Sequence, residues 1–366
     1  MKRWKIALIP GETVGPELIR EADRLLETVS RVYDIPLEKI LLYAGGVALE
    51  QEGNPLRSAV KAQASACDAV LFGSIGASRY NSLPPEQNPA RVLLELRAAF
   101  GVTTNLRPVR LRAEQIHCSP LRPELITGGF DILLVRDVRG GMLAAREQRH
   151  TVGECGQTAS DLEYYDESIV EHTARRAFEA AAQRTGKLTS LDKANVLASS
   201  VLWRKTVTRI AADYPSVMLE HRFIDAAAMD VIRVPRDFDV VLTGNVFGDI
   251  LADELAQLSG IAPQLGSAEL APDGRGLYTL NQLHYPDESL AGQQRVCPLG
   301  ILAAVAMLLR YTCRRPDAAA AVEEAIDAVI ACRLTTPDIC REGDTILSTA
   351  EMGCAVCERI RQRGRK

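Results

Sequence analysis

Short apolar runs alternate with helical patterns along most of the chain. Apolar residues that recur with helical spacing predict helices at residues 16–32, 166–184 and 200–214. Strands that alternate with helices indicate an α/β fold with a largely parallel sheet. A chain of 366 residues is long enough to form two lobes. The predicted strands are KIALIPGE (5–12), LLYAGG (41–46), CDAVLFGS (67–74), DILLVRD (131–137), LTSLDKANV (188–196), VMLEHRFI (217–224) and FDVVLTGN (238–245).

The composition and charge exclude several classes of protein. A formal net charge of −4 does not match the strongly basic domain of a nucleic-acid-binding protein. The longest apolar run, Leu299–Leu309, is too short to cross a bilayer, and the N-terminal apolar run is too short for a secretory signal. Nine scattered cysteines, an odd number, indicate reduced thiols. We therefore expect a cytoplasmic protein that binds neither nucleic acid nor membranes.

The segment TGNVFGDILADELAQLSG (243–260) places two carboxylates four residues apart behind a predicted strand. On a helix, Asp249 and Asp253 lie on the face opposite the leucines of this segment. Like charges at this spacing repel each other unless a cation lies between them. One interpretation is a solvated helix face. The other is a site for Mg²⁺ or Mn²⁺, which favour oxygen ligands.

Three arginines stand near the ends of predicted elements. Arg97 lies on a predicted amphipathic helix, Arg107 on the extended segment after it, and Arg136 at a strand end before a Gly-Gly turn. A single arginine is usually a surface residue. Three that converge would bind a substrate with several carboxylates, because each guanidinium matches a carboxylate bidentately.

Two further charged residues are candidates for catalysis. Lys193 lies in an apolar strand setting, where it either pairs with a neighbour such as Asp192 or acts as an acid or base. Asp225 begins a mostly apolar helix and is a candidate third metal carboxylate.

Taken together, these segments resemble the β-decarboxylating dehydrogenases of 2-hydroxy acids, the isocitrate/isopropylmalate dehydrogenase family, and most closely its 3-isopropylmalate dehydrogenase branch. The resemblance implies two α/β lobes in a homodimer with shared active sites. It places a discontinuous cofactor-side domain at residues 1–100 and 254–366, and a substrate, metal and dimerisation domain at 101–253. No Gly-x-Gly-x-x-Gly follows a predicted strand, so no Rossmann fingerprint is present. The segments that carry the resemblance are LPPEQNPARVLLELR, NLRP, VRDVRGG, DKANVL, WRKTV, IDAAAM and FDVVLTGNVFGDILADE.

The resemblance also implies a role for each candidate residue in the metal-dependent, NAD(P)-linked oxidative decarboxylation of a substituted malate. The three arginines would hold the carboxylates of this small substrate, and Lys193, reaching across the dimer interface, would take part in moving the hydroxyl proton. Asp249 and Asp253 of one subunit would bind Mg²⁺ or Mn²⁺ together with the catalytic residue Asp225 of the other. Leu93 and Leu94 would contact an apolar substituent. NAD is the implied coenzyme, with NADP not excluded, and its implied contacts are Glu12, His284, Asp287, Ser289 and Gly292.

Several positions depart from the family pattern. Leu143 stands where the family has a tyrosine that protonates the product, and leucine has no proton to donate. Thr13 replaces a glycine in the nicotinamide-side loop, where a β-branched residue is sterically costly. Ser289 stands where NAD-dependent enzymes have an aspartate. These departures leave an alternative open, a non-catalytic paralogue that keeps the anion and metal site as a binding or regulatory protein.

Overall fold

The computed structural model describes residues 2–84, 87–144, 148–153, 156–281 and 288–364. Its strands are β1 (Trp4–Gly11), β2 (Leu37–Leu41), β3 (Ala69–Ser74), β4 (Thr104–Leu111), β5 (Phe130–Asp137), β6 (Gln148–Gly153), β7 (Gly156–Asp161), β8 (Lys187–Asp192), β9 (Met218–Phe223), β10 (Val240–Thr243), β11 (Gly266–Leu270), β12 (Gly276–Leu280), β13 (Leu334–Thr335) and β14 (Thr345–Ile346). Its α-helices are α1 (Gly15–Val32), α2 (Gly46–Glu52), α3 (Ser58–Ser65), α4 (Arg91–Phe100), α5 (Glu167–Ala182), α6 (Ala198–Ala211), α7 (Ile224–Arg233), α8 (Asn245–Ser259), α9 (Leu299–Tyr311), α10 (Pro316–Ala331) and α11 (Thr349–Arg363). The mixed α/β architecture confirms the predicted fold class.

The first compact unit comprises Met1–Val102 and Ile261–Lys366. Its strands lie in the order β2-β1-β3-β12-β11, and β11 is antiparallel to β12 while the other pairs are parallel. Helix α9 is buried along almost its whole length, which accounts for the long apolar run Leu299–Leu309. Within the described ranges, no helix has the length and apolarity needed to span a bilayer.

The second compact unit comprises Thr103–Gly260. Its strands lie in the order β4-β5-β10-β8-β9, with β4 antiparallel to β5 and the remaining pairs parallel. Strands β6 and β7 form a separate antiparallel pair. Because the carboxyl ends of parallel strands meet at one edge of a sheet, the residues that follow β5, β8 and β10 lie along the same edge. The domain boundaries predicted from the sequence stay a prediction.

Two of the strand predictions need correction. The run at 41–46 was predicted as a strand, but β2 ends at Leu41, and Gly45 adopts a positive φ of 87° that breaks an extended segment. Lys193 was predicted to lie within a strand, but β8 ends at Asp192. The Asp192 carboxylate accepts a hydrogen bond from the backbone N–H of Ala194 at 2.9 Å, which turns the chain out of the sheet.

Thr13 is strained. Its φ is 51°, in the left-handed region where a non-glycine residue costs about 1–2 kcal/mol. We expect Thr13→Gly to raise the free energy of unfolding by about 1 kcal/mol, measured by urea denaturation, because glycine adopts this conformation without strain. Thr13→Ala is the matched control, since it removes the hydroxyl that lies 3.2 Å from the Ser74 hydroxyl but keeps the Cβ atom. A glycine variant less stable than the alanine variant would contradict this account.

Candidate functional site

Helix α8 carries the paired carboxylates of the second unit. Strand β10 ends at Thr243, and Gly244 is the N-cap from which α8 begins. Leu251 and Leu255 are buried on one face of this helix. The side chains of Asp249 and Asp253 are 48% and 74% exposed, respectively. The predicted placement of the two carboxylates on the solvent side of the helix is therefore observed.

Two of the three predicted arginines contact these carboxylates. Nη1 of Arg136, at the end of β5, forms an ion pair with Asp249. Nη1 of Arg107, on β4, lies 3.2 Å from Oδ1 of Asp253. Both arginines are nearly buried, whereas their partners are open to solvent. The two arginines lie on the paired neighbouring strands β4 and β5. Their positive charges offset the repulsion between Asp249 and Asp253.

A network of polar side chains fixes the orientation of Arg136. The Asn245 Oδ1 atom accepts hydrogen bonds from Arg136 Nε at 3.2 Å and Nη2 at 2.7 Å. Asn245 Nδ2 donates to the Gly140 carbonyl at 2.8 Å, and its backbone N–H donates to the Tyr165 hydroxyl at 2.7 Å. Sequence reasoning missed Asn245 and Tyr165. The only local signal was an asparagine at the start of a helix, which is common in structural roles.

The Gly140–Gly141 turn is held by a buried carboxylate. Asp137 accepts hydrogen bonds from the backbone N–H groups of Gly140 at 2.7 Å and Arg139 at 3.1 Å. A Cβ atom at Gly140 would collide with the ring of Tyr165, so this position requires glycine. Leu143 follows this turn with a half-exposed side chain, and it brings no proton donor to the site.

Burial raises the pKa of Asp137 from 3.8 to about 6, against the opposing effect of the hydrogen bonds from Gly140 and Arg139. The folded protein therefore holds the Asp137 proton more tightly than the unfolded chain does. Protonation of Asp137 stabilises the fold fully below about pH 4, and this stabilisation is lost as the pH rises through about 6. The difference in unfolding free energy between Asp137→Asn and wild type should therefore shift in favour of the variant by roughly 3 kcal/mol as the pH rises from 4 to 7.5. Urea denaturation across this pH range measures the difference. Asp161→Asn, on an exposed strand, is the control, and parallel curves for wild type and Asp137→Asn would contradict the prediction.

Lys193 and Asp225 meet within one chain. Lys193 Nζ lies 2.7 Å from Oδ2 of Asp225, in the first turn of α7. The hydrogen bond from Lys193 holds the pKa of this carboxyl below its usual range. Asp192 is buried against Arg204 through two hydrogen bonds of 2.8 and 2.9 Å, which fixes the chain immediately before Lys193. The predicted action of both residues across a subunit interface stays a prediction.

The carboxylates of α8 suit a hard divalent cation. Asp249 and Asp253 present exposed oxygens one helical turn apart, which is the ligand chemistry that Mg²⁺ and Mn²⁺ favour. Over the described part of this single chain, no three His, Cys, Asp or Glu side chains gather in an arrangement that could hold a metal. A third carboxylate from a second subunit, as predicted for Asp225, would complete such a set.

Arg97, the third predicted arginine, lies in the first unit and forms an ion pair there with Glu269. Its Nε atom donates to Oε2 of Glu269 at 2.6 Å, and its Nη2 atom also donates to this carboxylate. Glu269 is 2% exposed. One turn earlier on α4, Leu93 is buried, whereas Leu94 is 57% exposed. Adjacent helix positions point about 100° apart, so these two leucines face different surroundings.

The predicted cofactor contacts that the structure describes, Glu12, Ser289 and Gly292, lie in the first unit. The buried Glu12 carboxylate accepts hydrogen bonds from the backbone N–H groups of Gly46 and Gly76, and burial raises its pKa. Gly292 has a φ of 75° and donates its N–H to the carboxylate of Glu17 at 3.3 Å, while Ser289 is exposed. Glu17 was missed by sequence reasoning. His284 and Asp287 lie outside the described residues, and the roles predicted for all these contacts stay predictions.

Comparison with known proteins gives matches over nearly the whole chain. The family model described as isocitrate/isopropylmalate dehydrogenase matches residues 5–356. The 3-isopropylmalate dehydrogenase of Syntrophotalea carbinolica is 42% identical over 359 residues, which cover 97% of this chain and 98% of that protein. The 3-isopropylmalate dehydrogenase of a Synechococcus strain is 40% identical over 353 residues, covering 96% of this chain and 94% of that protein.

A solved structure agrees with these sequence relatives. The crystal structure of isocitrate dehydrogenase from Methylococcus capsulatus superposes with a TM-score of 0.82 at 28% identity, and the match covers 98% of this chain and 100% of that one. The resemblance inferred from the sequence motifs is therefore confirmed. This chain belongs to the isocitrate/isopropylmalate dehydrogenase family.

Proposed function

We propose that this protein is a metal-dependent, NAD(P)-linked dehydrogenase that oxidises and decarboxylates a substituted malate. The observation that carries the proposal is the pairing of Arg107 and Arg136 with Asp253 and Asp249 in the second unit. Two oriented guanidinium groups beside two exposed carboxylates offer sites for a substrate carboxylate and for a cation at the same place. The names of the relatives described above support the same class of reaction.

The proposed reaction removes a hydride from C2 and a proton from the 2-hydroxyl, giving a 2-keto acid. Its β-carboxylate then leaves as CO₂, and the C–C bonding electrons form an enolate that takes up a proton at carbon. Arg107 and Arg136 hold the β-carboxylate and, through their fixed orientation, keep C2 in position for hydride loss. The nicotinamide coenzyme supplies the hydride acceptor, and the divalent cation supplies Lewis acidity toward the hydroxyl and carboxylate oxygens.

Lys193 takes part in moving the hydroxyl proton in this proposal. Its ammonium group is held by Asp225, and the Asp192–Arg204 pair fixes the backbone from which it extends. A lysine positioned in this way can pass a proton to and from a substrate oxygen. Leu143 has no proton to give to the enolate, so water supplies that proton in this protein.

The predicted homodimer belongs to the same proposal. Large apolar side chains are exposed on three helices of the second unit, at Val201 on α6, Met229 and Ile232 on α7, and Ile250 on α8. Exposed large apolar side chains of this kind support burial against a second subunit. A second copy would also bring Asp225 and Lys193 to the neighbouring site, as the resemblance implies. The cytoplasmic location stays a prediction from the sequence.

The non-catalytic alternative receives no support from the relatives, which are named as dehydrogenases. Calorimetric titration with NAD and with NADP tests the proposal, first with Mn²⁺ and then with Mn²⁺ and 3-isopropylmalate. The proposal requires binding of one of the two coenzymes at micromolar concentrations, strengthened by the malate. Binding of the malate and Mn²⁺ without a signal from either coenzyme would contradict it.

A further inference from the structure

Glu17 is a buried carboxylate of the first unit that binds a distant segment of the same unit. It lies in the first turn of α1, and only 2% of the residue is exposed. Its Oε2 atom accepts hydrogen bonds from the backbone N–H and from Nε2 of Gln294, both at 2.9 Å. Its Oε1 atom accepts a hydrogen bond from the backbone N–H of Gly292 at 3.3 Å. Both carboxylate oxygens are therefore bound to one short stretch of chain, the 288–294 segment.

The backbone of the 288–294 segment needs this support. Gly292 has a φ of 75° and Gln294 a φ of 58°, and the second value is strained because a non-glycine residue disfavours the left-handed region. Residues 291–293 are exposed, so little packing holds them in place. The carbonyl of Gln294 accepts a hydrogen bond from the backbone N–H of Thr349 at 2.9 Å. Glu17 and Thr349 together therefore hold the strained residue at the end of the segment.

Helix α1 also begins beside the other segment that is predicted to contact the coenzyme. The backbone N–H of Gly15, the first residue of α1, donates to the carbonyl of Glu12 at 2.9 Å. The Glu12 carboxylate is buried and accepts two backbone hydrogen bonds of its own. Because Ser289 and Gly292 are predicted coenzyme contacts as well, the first turn of α1 fixes predicted contacts from two distant parts of the sequence.

Resting on the function proposed above, we infer that Glu17 is a positioning residue for the nicotinamide coenzyme, because it holds the 288–294 segment in its binding conformation before the coenzyme arrives. A coenzyme that meets a preformed segment does not have to order it, so binding is tighter. The three donors offset the cost of burying the carboxylate, and its place in the first turn of a helix favours the negative charge. Glu17 acts through the segment and does not need to touch the coenzyme.

The first readout is hydrogen–deuterium exchange of coenzyme-free protein, followed by mass spectrometry. Glu17→Gln keeps the shape of the side chain but places an NH₂ group where one carboxylate oxygen accepted a hydrogen bond. One of the donors at Gly292 and Gln294 then loses its acceptor. Peptides that cover residues 288–294 should therefore exchange at least about tenfold faster in the variant than in wild type. Unchanged exchange in this segment would overturn the inference.

The second readout is the dissociation constant of NAD and of NADP in the presence of Mn²⁺, measured by calorimetry. Glu17→Gln should weaken binding of whichever coenzyme the wild type binds by at least about tenfold. Binding of 3-isopropylmalate with Mn²⁺ should stay within about twofold of wild type, because Arg107, Arg136 and the carboxylates of α8 lie in the second unit. An equal loss of malate binding would indicate general damage to the fold and would overturn the inference.

Glu21→Gln is the matched control. Glu21 is a second buried carboxylate of α1, one turn after Glu17, and it pairs with Arg24 at 3.2 Å. This variant should leave both the exchange of the 288–294 segment and the dissociation constant of the coenzyme unchanged. If Glu21→Gln changed both as much as Glu17→Gln does, the effect would belong to α1 as a whole, and the inference would be overturned.

Gln294→Met decides the question if Glu17→Gln does not fold. Methionine matches the length of glutamine but donates no hydrogen bond, so this variant removes only the bond from Nε2 to Glu17. It should weaken coenzyme binding at least about threefold, and unchanged binding would overturn the inference. A wild-type protein that binds neither coenzyme would remove the proposed function, and with it this inference. Wild-type coenzyme binding that the folded variants retain in full removes the inference alone.

Discussion

Replacing Lys193 with methionine should lower kcat by about 100- to 10,000-fold, the range for loss of a positioned acid–base group. Methionine matches the length of lysine but has no proton to transfer. The Asp225 carboxylate, which Lys193 contacts at 2.7 Å, is exposed, so losing its partner should cost little stability. Initial rates of coenzyme reduction at saturating malate and Mn²⁺ measure kcat, and the thermal midpoint checks folding.

Lys205→Met is the matched control for this prediction. Lys205 is an exposed lysine on α6, twelve residues after Lys193 in the sequence, and it has no proposed role in the reaction. Its replacement should leave kcat within about twofold of wild type, as is usual for surface substitutions. If Lys193→Met and Lys205→Met gave equal rates, Lys193 would have no part in proton transfer.

The second large effect concerns the metal. Asp253→Asn should raise the Mn²⁺ concentration for half-maximal activity by at least about 100-fold, because even residues that only orient metal ligands contribute 10–100-fold in affinity. Asparagine keeps an oxygen that can accept the hydrogen bond from Arg107, now 3.2 Å from Oδ1 of Asp253. The nearly buried guanidinium therefore keeps a partner, and the variant should remain folded.

Activity as a function of Mn²⁺ concentration, after treatment with a chelator, measures this effect. Asp237→Asn removes an exposed carboxylate that precedes β10, at the opposite end of this strand from α8, and it should leave the Mn²⁺ dependence unchanged. An unchanged Mn²⁺ dependence in Asp253→Asn would show that the carboxylate pair on α8 serves only to orient Arg107 and Arg136.

Local patterns predicted much of this fold. The sequence predicts the buried strand before Asn245 and the leucine stripe of α8, because apolar residues form short local patterns along a buried strand and along one face of a helix. The predicted strand at 41–46 and the predicted strand setting of Lys193 were wrong, because a positive-φ glycine and an aspartate turn ended those segments. Backbone geometry of this kind overrides apolar runs.

Side-chain contacts between residues far apart in the sequence could not be predicted from it. Arg97 and Glu269 are separated by 172 residues, so no spacing rule links them, and the sequence analysis did not predict this ion pair. Asn245 and Tyr165 are 80 residues apart and were missed for the same reason. The candidate ligands Asp249 and Asp253 were found because both lie on one helix, where residues four apart in the sequence are also neighbours in space.

The most direct test of the central claim is a single assay of wild-type protein with 3-isopropylmalate, Mn²⁺ and NAD or NADP, in which reduced coenzyme and released CO₂ are measured together. Oxidative decarboxylation predicts equal amounts of the two products, and neither should form when a chelator removes Mn²⁺. A folded protein that binds the malate and Mn²⁺ but forms neither product, with either coenzyme and across a panel of substituted malates, would contradict the account.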